Sequence, residues 1–152
     1  MTPEVSKIVH GTSIATATIA VILSPIPLAD EIVFVPVYVV LTSKIGRTHG
    51  LEFGEIPWKP ILRTVFTALA ARAIANIAVA YIPGVAAAAN AVTAAALTEY
   101  FGLYVDTTCA DPTRATTPTV KEIVEDLKKQ IADRVTKKSV VAAPAAMPPP
   151  PA

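Results

Sequence analysis

Apolar residues fill this chain in four helix-length blocks separated by short polar or proline-marked breaks, and a fifth block alternates apolar with charged positions. Thr2-Pro3-Glu4 marks the first start: a threonine able to cap, a proline at the first helical position and an acid near the positive end of the helix dipole. The pattern predicts a helix from there to about Leu23, with small and hydroxylated residues filling its interior from Gly11 to Ala20. A second helix is expected from near Leu28 to about Arg47, kinked at Pro36, where the missing amide removes a hydrogen bond. The β-branched run from Ile32 to Val40 also fits a strand, but it has no strand partners, and its helical neighbours decide for helix. A third helix is expected from Lys59 or Pro60 to Tyr81 and a fourth from Gly84 to about Val105, both rich in alanine. Pro25 and Pro27 punctuate the first pair of helices, and Pro83 and Gly84 the second, so each pair reads as a hairpin.

The remaining segments are polar. Leu51 to Lys59 has the composition of a connection, and its Trp58 fits either an interfacial anchor or core packing. Residues 107–118 read as a linker after a hydrophobic domain spanning 1–106. In 119–138, Val120, Ile123, Val124, Leu127, Ile131 and Val135 recur at helical spacing, with charges on the other side, which predicts an amphipathic helix in need of one partner surface. Residues 139–152 are an Ala/Pro-rich tail of polyproline-like character. The expected fold is therefore all-α: a membrane-associated bundle of two helical hairpins plus a C-terminal amphipathic helix.

Composition sharpens this reading. Hydrophobic residues make up 53% of the chain and charged residues 16%, against roughly 25% charged in an average soluble domain. No Lys, Arg, Asp or Glu occurs between Ile8 and Ala29. The net charge of +1 gives no electrostatic footprint for nucleic acid. Cys109 is the single cysteine, so neither an internal disulfide nor a cysteine zinc site can form. Lys7 before the run Ile14–Leu23 resembles a secretory leader, but Pro25 and Pro27 stand where a small-residue cleavage pattern belongs, so an uncleaved helix is expected.

A bilayer core of about 30 Å asks for about 20 helical residues, a length each apolar block reaches narrowly. Lys44, Arg47, Lys59 and Arg63 flank the central connection, whereas the proline turns carry no positive residue. The positive-inside tendency then places both termini and the central connection in the cytoplasm, with the proline turns across or deep within the membrane. Arg72, mid-way along the third helix, needs a partner or a route to water, since a guanidinium at the bilayer centre costs at least about 2.5 to 3.5 kcal/mol. Asp30, Glu31 and Glu99 are the acids within reach of such a role, and Asn76 and Asn90 extend the set into a polar seam that either fixes helix register or forms an ion or ligand path.

Chemistry beyond this is sparse. His10 and His49 lack a second ligand at metal-binding spacing. Asp30 and Glu31 diverge on a helix and form no general acid/base pair by themselves, so Asp30 reads as a helix cap or the two acids as an ion-linked element. No serine sits in a nucleophile elbow. No enzyme and no cofactor are expected.

The sequence Pro25-Ile26-Pro27-Leu28-Ala29-Asp30, then Val35-Pro36-Val37, His49-Gly50, Ile82-Pro83-Gly84-Val85 and Thr98-Glu99-Tyr100-Phe101-Gly102 resembles domain of unknown function family 697, the YcjF-like domain often found behind a GTPase domain. The resemblance covers about residues 8 to 106, with Tyr38 and Ala86 departing from it where Gln and Gly are usual. It implies a helical, membrane-associated module and brings no catalytic residues. No phosphate-binding G-x-x-x-x-G-K-[ST] loop occurs, so a GTPase would act on this chain as a separate partner. The leading expectation is a non-enzymatic, self-associating integral membrane scaffold that presents a cytoplasmic helix and tail to a protein partner. The alternatives are a small pore or transporter along the polar seam, and a hydrophobic subunit of a larger complex.

Overall fold

The small-residue blocks and their caps produce four long helices in a computed structural model that describes residues 1–24, 26, 29–79, 86–116 and 118–125, the side chains of 74–79, 86 and 114 excepted. The helices are α1 (Pro3–Leu23), α2 (Ala29–Thr48), α3 (Trp58–Val79) and α4 (Ala86–Ala110), followed by a 3₁₀ turn over Pro112–Arg114 and a helical start at 120–125. The described residues contain no strand. Thr2 caps α1 as its sequence implied, its hydroxyl accepting from the Val5 amide at 3.3 Å. Pro36 lies inside α2.

Gly50 ends α2. At φ 76° it occupies the left-handed region that glycine enters without strain. The Leu51 amide donates to the Gly46 carbonyl and the Gly50 amide to the Arg47 carbonyl, each at 3.0 Å, a pairing that satisfies the last carbonyls of the helix. Chain reversal follows at once, and Ile56 packs back on Gly46, where a Cβ would fall within 3 Å of its side chain. Pro60 in the first turn of α3 is tolerated because amides there have no intrahelical partner.

α1 and α3 run one way and α2 and α4 the other, as cross-helix contacts demonstrate. Val9 meets Gly102, Ser13 bonds the Ala95 carbonyl and the Ala20 carbonyl meets Asn90, so α1 and α4 are antiparallel along their length. Asp30 faces Asn90, Tyr38 faces Thr98 and His49 faces Asp106, offsets of 60, 60 and 57 residues that make α2 and α4 parallel. The most extensive interface is α1 on α4, while α1 and α3 do not touch among the described residues. The helices of each expected hairpin, α1 with α2 and α3 with α4, do pack together, but α1 on α4 exceeds both. α4 is the hub, because its small residues let neighbours approach: a Cβ on Gly102 would overlap Val9 of α1, and Ala94 and Ala96 are fully buried.

Phe34, Tyr38, Leu41 and Ile45 of α2, Ile61 and Val65 of α3, and Leu97, Phe101 and Val105 of α4 fill the core with Val5 and Val9 of α1. The Tyr38 and Phe101 rings meet with centroids 4.8 Å apart and planes tilted by 43°, within the distance at which aromatic pairs attract. α4 continues to Ala110, beyond the expected end near Val105 and into the stretch read as linker. Its extra turn is anchored by Asp106, which meets His49 at 2.9 Å, and by buried Cys109. Past the linker, Ile123 is fully buried in the same core, so the amphipathic segment sets its first apolar turn on the bundle itself.

Candidate functional site

Four helices converge on one ion cluster in the half of the bundle where α1 ends and α4 begins. Arg72 of α3 has a side chain with 0% exposure. Its guanidinium donates to Asp30 Oδ2 at 2.7 Å and to Glu31 Oε1 at 2.8 Å, both on α2. It also donates to the Asn90 side-chain oxygen on α4 in a very short contact. Asn90 in turn donates from Nδ2 to Asp30 Oδ2 at 3.0 Å and to the Ala20 carbonyl of α1 at 2.9 Å. One residue or backbone group from every long helix therefore takes part. The Phe34 ring, one turn beyond Asp30 on α2, lies 4.7 Å from the guanidinium carbon, within reach of a cation–π contact.

Asp30 is not a helix cap. α2 begins at Ala29, which puts Asp30 inside the helix, and Arg72 and Asn90 draw its carboxylate inward. Adjacent acids on a helix diverge by about 100°, yet the guanidinium is broad enough to meet both. Glu99 does not join Arg72. Its Oε1 lies 2.6 Å from His10 Nδ1, in a pair between α4 and α1 that is half open to solvent. The side chain of Asn76 and the turn residues Pro25, Pro27, Pro83 and Gly84 lie outside the described residues.

A second buried node sits one layer away. Thr98 of α4 shares a hydrogen bond with Thr16 of α1 at 2.8 Å and with the Tyr38 hydroxyl of α2 at 3.2 Å, and donates to its own helix at Ala94. Thr98, Phe101 and Gly102 thus form one working face of α4, and Glu99 beside them holds α1 through His10. Sequence reasoning missed the Thr16–Tyr38–Thr98 node and the His49–Asp106 pair. The available signal was the similar spacing of α2 and α4 polar positions, 60 residues for Tyr38 and Thr98 and 57 for His49 and Asp106, which becomes visible once the two helices are known to be parallel.

Chemically, a guanidinium neutralised by carboxylates and closed to solvent locks register; it offers no open position for a reacting group. Among the described residues no three metal-ligating side chains gather. Only one described helix, Pro3–Leu23, is long and apolar enough to cross a membrane by length and composition. It lies near the N-terminus, and 28% of its apolar window is buried in the bundle. These features define an all-α bundle tied together by an internal ion cluster. A family model described as domain of unknown function 697 matches residues 2–133, and the chain belongs to that family. Neither a curated protein nor a solved structure matches the chain significantly.

Proposed function

We propose that this protein is a non-enzymatic membrane anchor and scaffold, embedded in a bacterial inner membrane by the half of the bundle that carries the ion cluster. The observation that supports this is an inverted polarity. Arg72, Asp30 and Asn90 are turned inward, while Ile32, next to Glu31, is 76% exposed and Ile14, Ile22 and Phe66 are also exposed. In water that arrangement wastes apolar surface; in lipid it is the favourable one, since ions must be paired internally and apolar side chains face outward without cost.

Charge placement supports the orientation. Lys7, Lys44, Arg47, Lys59 and Arg63 are all exposed at the end where α1 and α3 begin and α2 and α4 finish. That end suits the cytoplasmic surface, with the N-terminus, the α2–α3 connection and the end of α4 on it. From His10 to Leu23, from Lys44 back to Ala29 and from Arg63 to Val79, a rise of about 1.5 Å per residue gives an apolar depth of about 20 to 24 Å. A full crossing needs about 30 Å. The depth favours hairpins that dip deep into the bilayer over four complete spans.

A shallow groove of about 320 Å³ between α1 and α4 has Ser13, Ala17, Thr18, Ala91 and Ala95 in its lining and the exposed side chains of Ile14 and Val21 beside them, a mix of small and large apolar residues on which helices can associate in lipid. Self-association there, with the charged face of 119–138 and the tail offered to a cytoplasmic partner such as a separate GTPase, completes the scaffold reading. A pore along the seam is disfavoured because Arg72 is sealed from solvent. Alkaline carbonate extraction of membranes, followed by crosslinking in native membranes, tests the proposal. Retention in the pellet with crosslinked copies or neighbours is expected. Release into the supernatant, or recovery of monomer alone, overturns it.

A further inference from the structure

α1 and α2 pack on each other but leave an open furrow along their join. Between them runs a groove of about 560 Å³, walled on the α2 side by Pro36, Val40 and Leu41. The α1 wall is Gly11, Thr12 and Ala15, whose short side chains leave the volume open. The Thr12 hydroxyl donates to the Ile8 carbonyl at 2.8 Å, so its polar group is occupied by its own helix. On α2, the Pro36 ring takes the place of an amide and crowds the preceding turn, which opposes a tighter helix pairing at this level.

One end of the groove is basic. Lys7 and Lys44 both line it, both are exposed, and neither forms an ion pair among the described residues. Because α1 and α2 are antiparallel, the two lysines share one level. From that level the apolar walls extend eight residues along each helix, to Ala15 and to Pro36, or about 12 Å at helical rise. The lysine end is also the end of the bundle that carries the exposed basic residues, and the apolar end points toward the embedded half.

We propose that this groove holds an anionic phospholipid, with one acyl chain between α1 and α2 and the phosphate at Lys7 and Lys44. The inference rests on the membrane reading above and deepens it. Charge complementarity and the apolar length select this occupant. A symmetric second copy would set one basic collar against another, a juxtaposition that costs energy. The chain's own amphipathic segment begins by burying Ile123 in the core.

The test uses the full chain reconstituted in phosphatidylcholine vesicles, alone or doped with phosphatidylglycerol, with retained lipid counted by native mass spectrometry after mild solubilisation. The wild type is expected to sediment with both vesicle types and to retain phosphatidylglycerol in preference to phosphatidylcholine. Lys7→Gln/Lys44→Gln is expected to stay in the vesicles and lose that preference about 30-fold, the sum of two surface lysine contributions. Lys7→Arg/Lys44→Arg is expected to keep it, and Ala15→Phe, which fills the groove, to lose retained lipid of both kinds. Equal retention of the two lipids by the wild type, an unchanged preference in the Gln variant, or crosslinks joining Lys7 or Lys44 of two copies overturns the lipid site while leaving the membrane reading intact. Wild type left in the supernatant with both vesicles removes the membrane reading, and the site falls with it.

Discussion

Replacing Arg72 by methionine removes the cation on which two acids and an amide converge. The variant keeps a similar volume but leaves Asp30, whose side chain is 4% exposed, without its 2.7 Å donor, and Glu31 without its 2.8 Å donor. Taking one partner from a buried ion pair costs about 3–5 kcal/mol, because the remaining charge has lost its compensation. Against a total domain stability of about 5–15 kcal/mol, that is a large share. Equilibrium unfolding in mixed detergent micelles, followed by helical circular dichroism and by the single tryptophan, Trp58, measures it. Trp58 sits at the opposite end of the bundle, where its indole donates to the Phe53 carbonyl at 2.8 Å. A shift seen there reports cooperative loss of the whole bundle. Neutralising both acids in the triple variant Asp30→Asn/Glu31→Gln/Arg72→Met should recover about 1–3 kcal/mol through the coupling among the three sites. The reasoning is refuted if Arg72→Met unfolds within about 0.5 kcal/mol of wild type, near the noise of surface substitutions, or if the triple variant is no more stable than the single one. Altered ion flux through Arg72→Met with unchanged unfolding would support a conducting seam instead.

Three further outcomes are expected. Gly102→Val should destabilise by about 1–3 kcal/mol through overpacking on Val9, and Val9→Ala in the same chain should restore part of it, as read by the same unfolding assay. Tyr38→Phe should cost about 1 kcal/mol, the net worth of the hydroxyl's bond to Thr98, with helix content unchanged by circular dichroism. Acid should loosen the helical start at 120–125. There Glu122 accepts from the Thr119 amide at 2.7 Å while Thr119 accepts from the Glu122 amide at 3.3 Å, a reciprocal cap. Donation to the Glu122 carboxylate from the Thr119 amide, and from the Thr119 hydroxyl at 2.8 Å, holds that carboxyl below its ordinary value of 4.5. The stabilisation is full above that value and is lost as pH falls through the lowered one. Amide exchange at 120–125 should therefore show reduced protection on acidification relative to neutral pH, and Glu122→Ala should abolish the pH dependence there.

The helices were readable because each has a local cause. Thr2, Pro3 and Glu4 start α1, and Gly50 closes α2 at a positive φ; both signals act within a few residues of chain. Partner choice was not readable. Apolar periodicity says that a face is buried without saying against what, and so the dominance of α1 on α4 rests on details such as the void at Gly102 that accepts Val9. The same limit explains Glu99. Its charge made it a candidate for Arg72, but on the antiparallel α1–α4 pair it falls level with His10, while Asn90 falls level with Ala20 and Arg72. Thr107 and Thr108 read as linker in the sequence, just past an expected helix end near Val105. Here Thr107 bonds back to the Leu103 carbonyl and Asp106 reaches His49, so the helix carries them without loss.

The central claim is that the ion-cluster half of the bundle lies in lipid while its basic end stays in water. Cysteine labelling measures this directly in a Cys109→Ala background, with Ile22→Cys, Ile32→Cys and Arg47→Cys variants in intact vesicles exposed to a membrane-impermeant maleimide. The account predicts rapid labelling at residue 47 and none at 22 or 32 until detergent is added. Labelling at 22 and 32 as fast as at 47 in intact vesicles would contradict it.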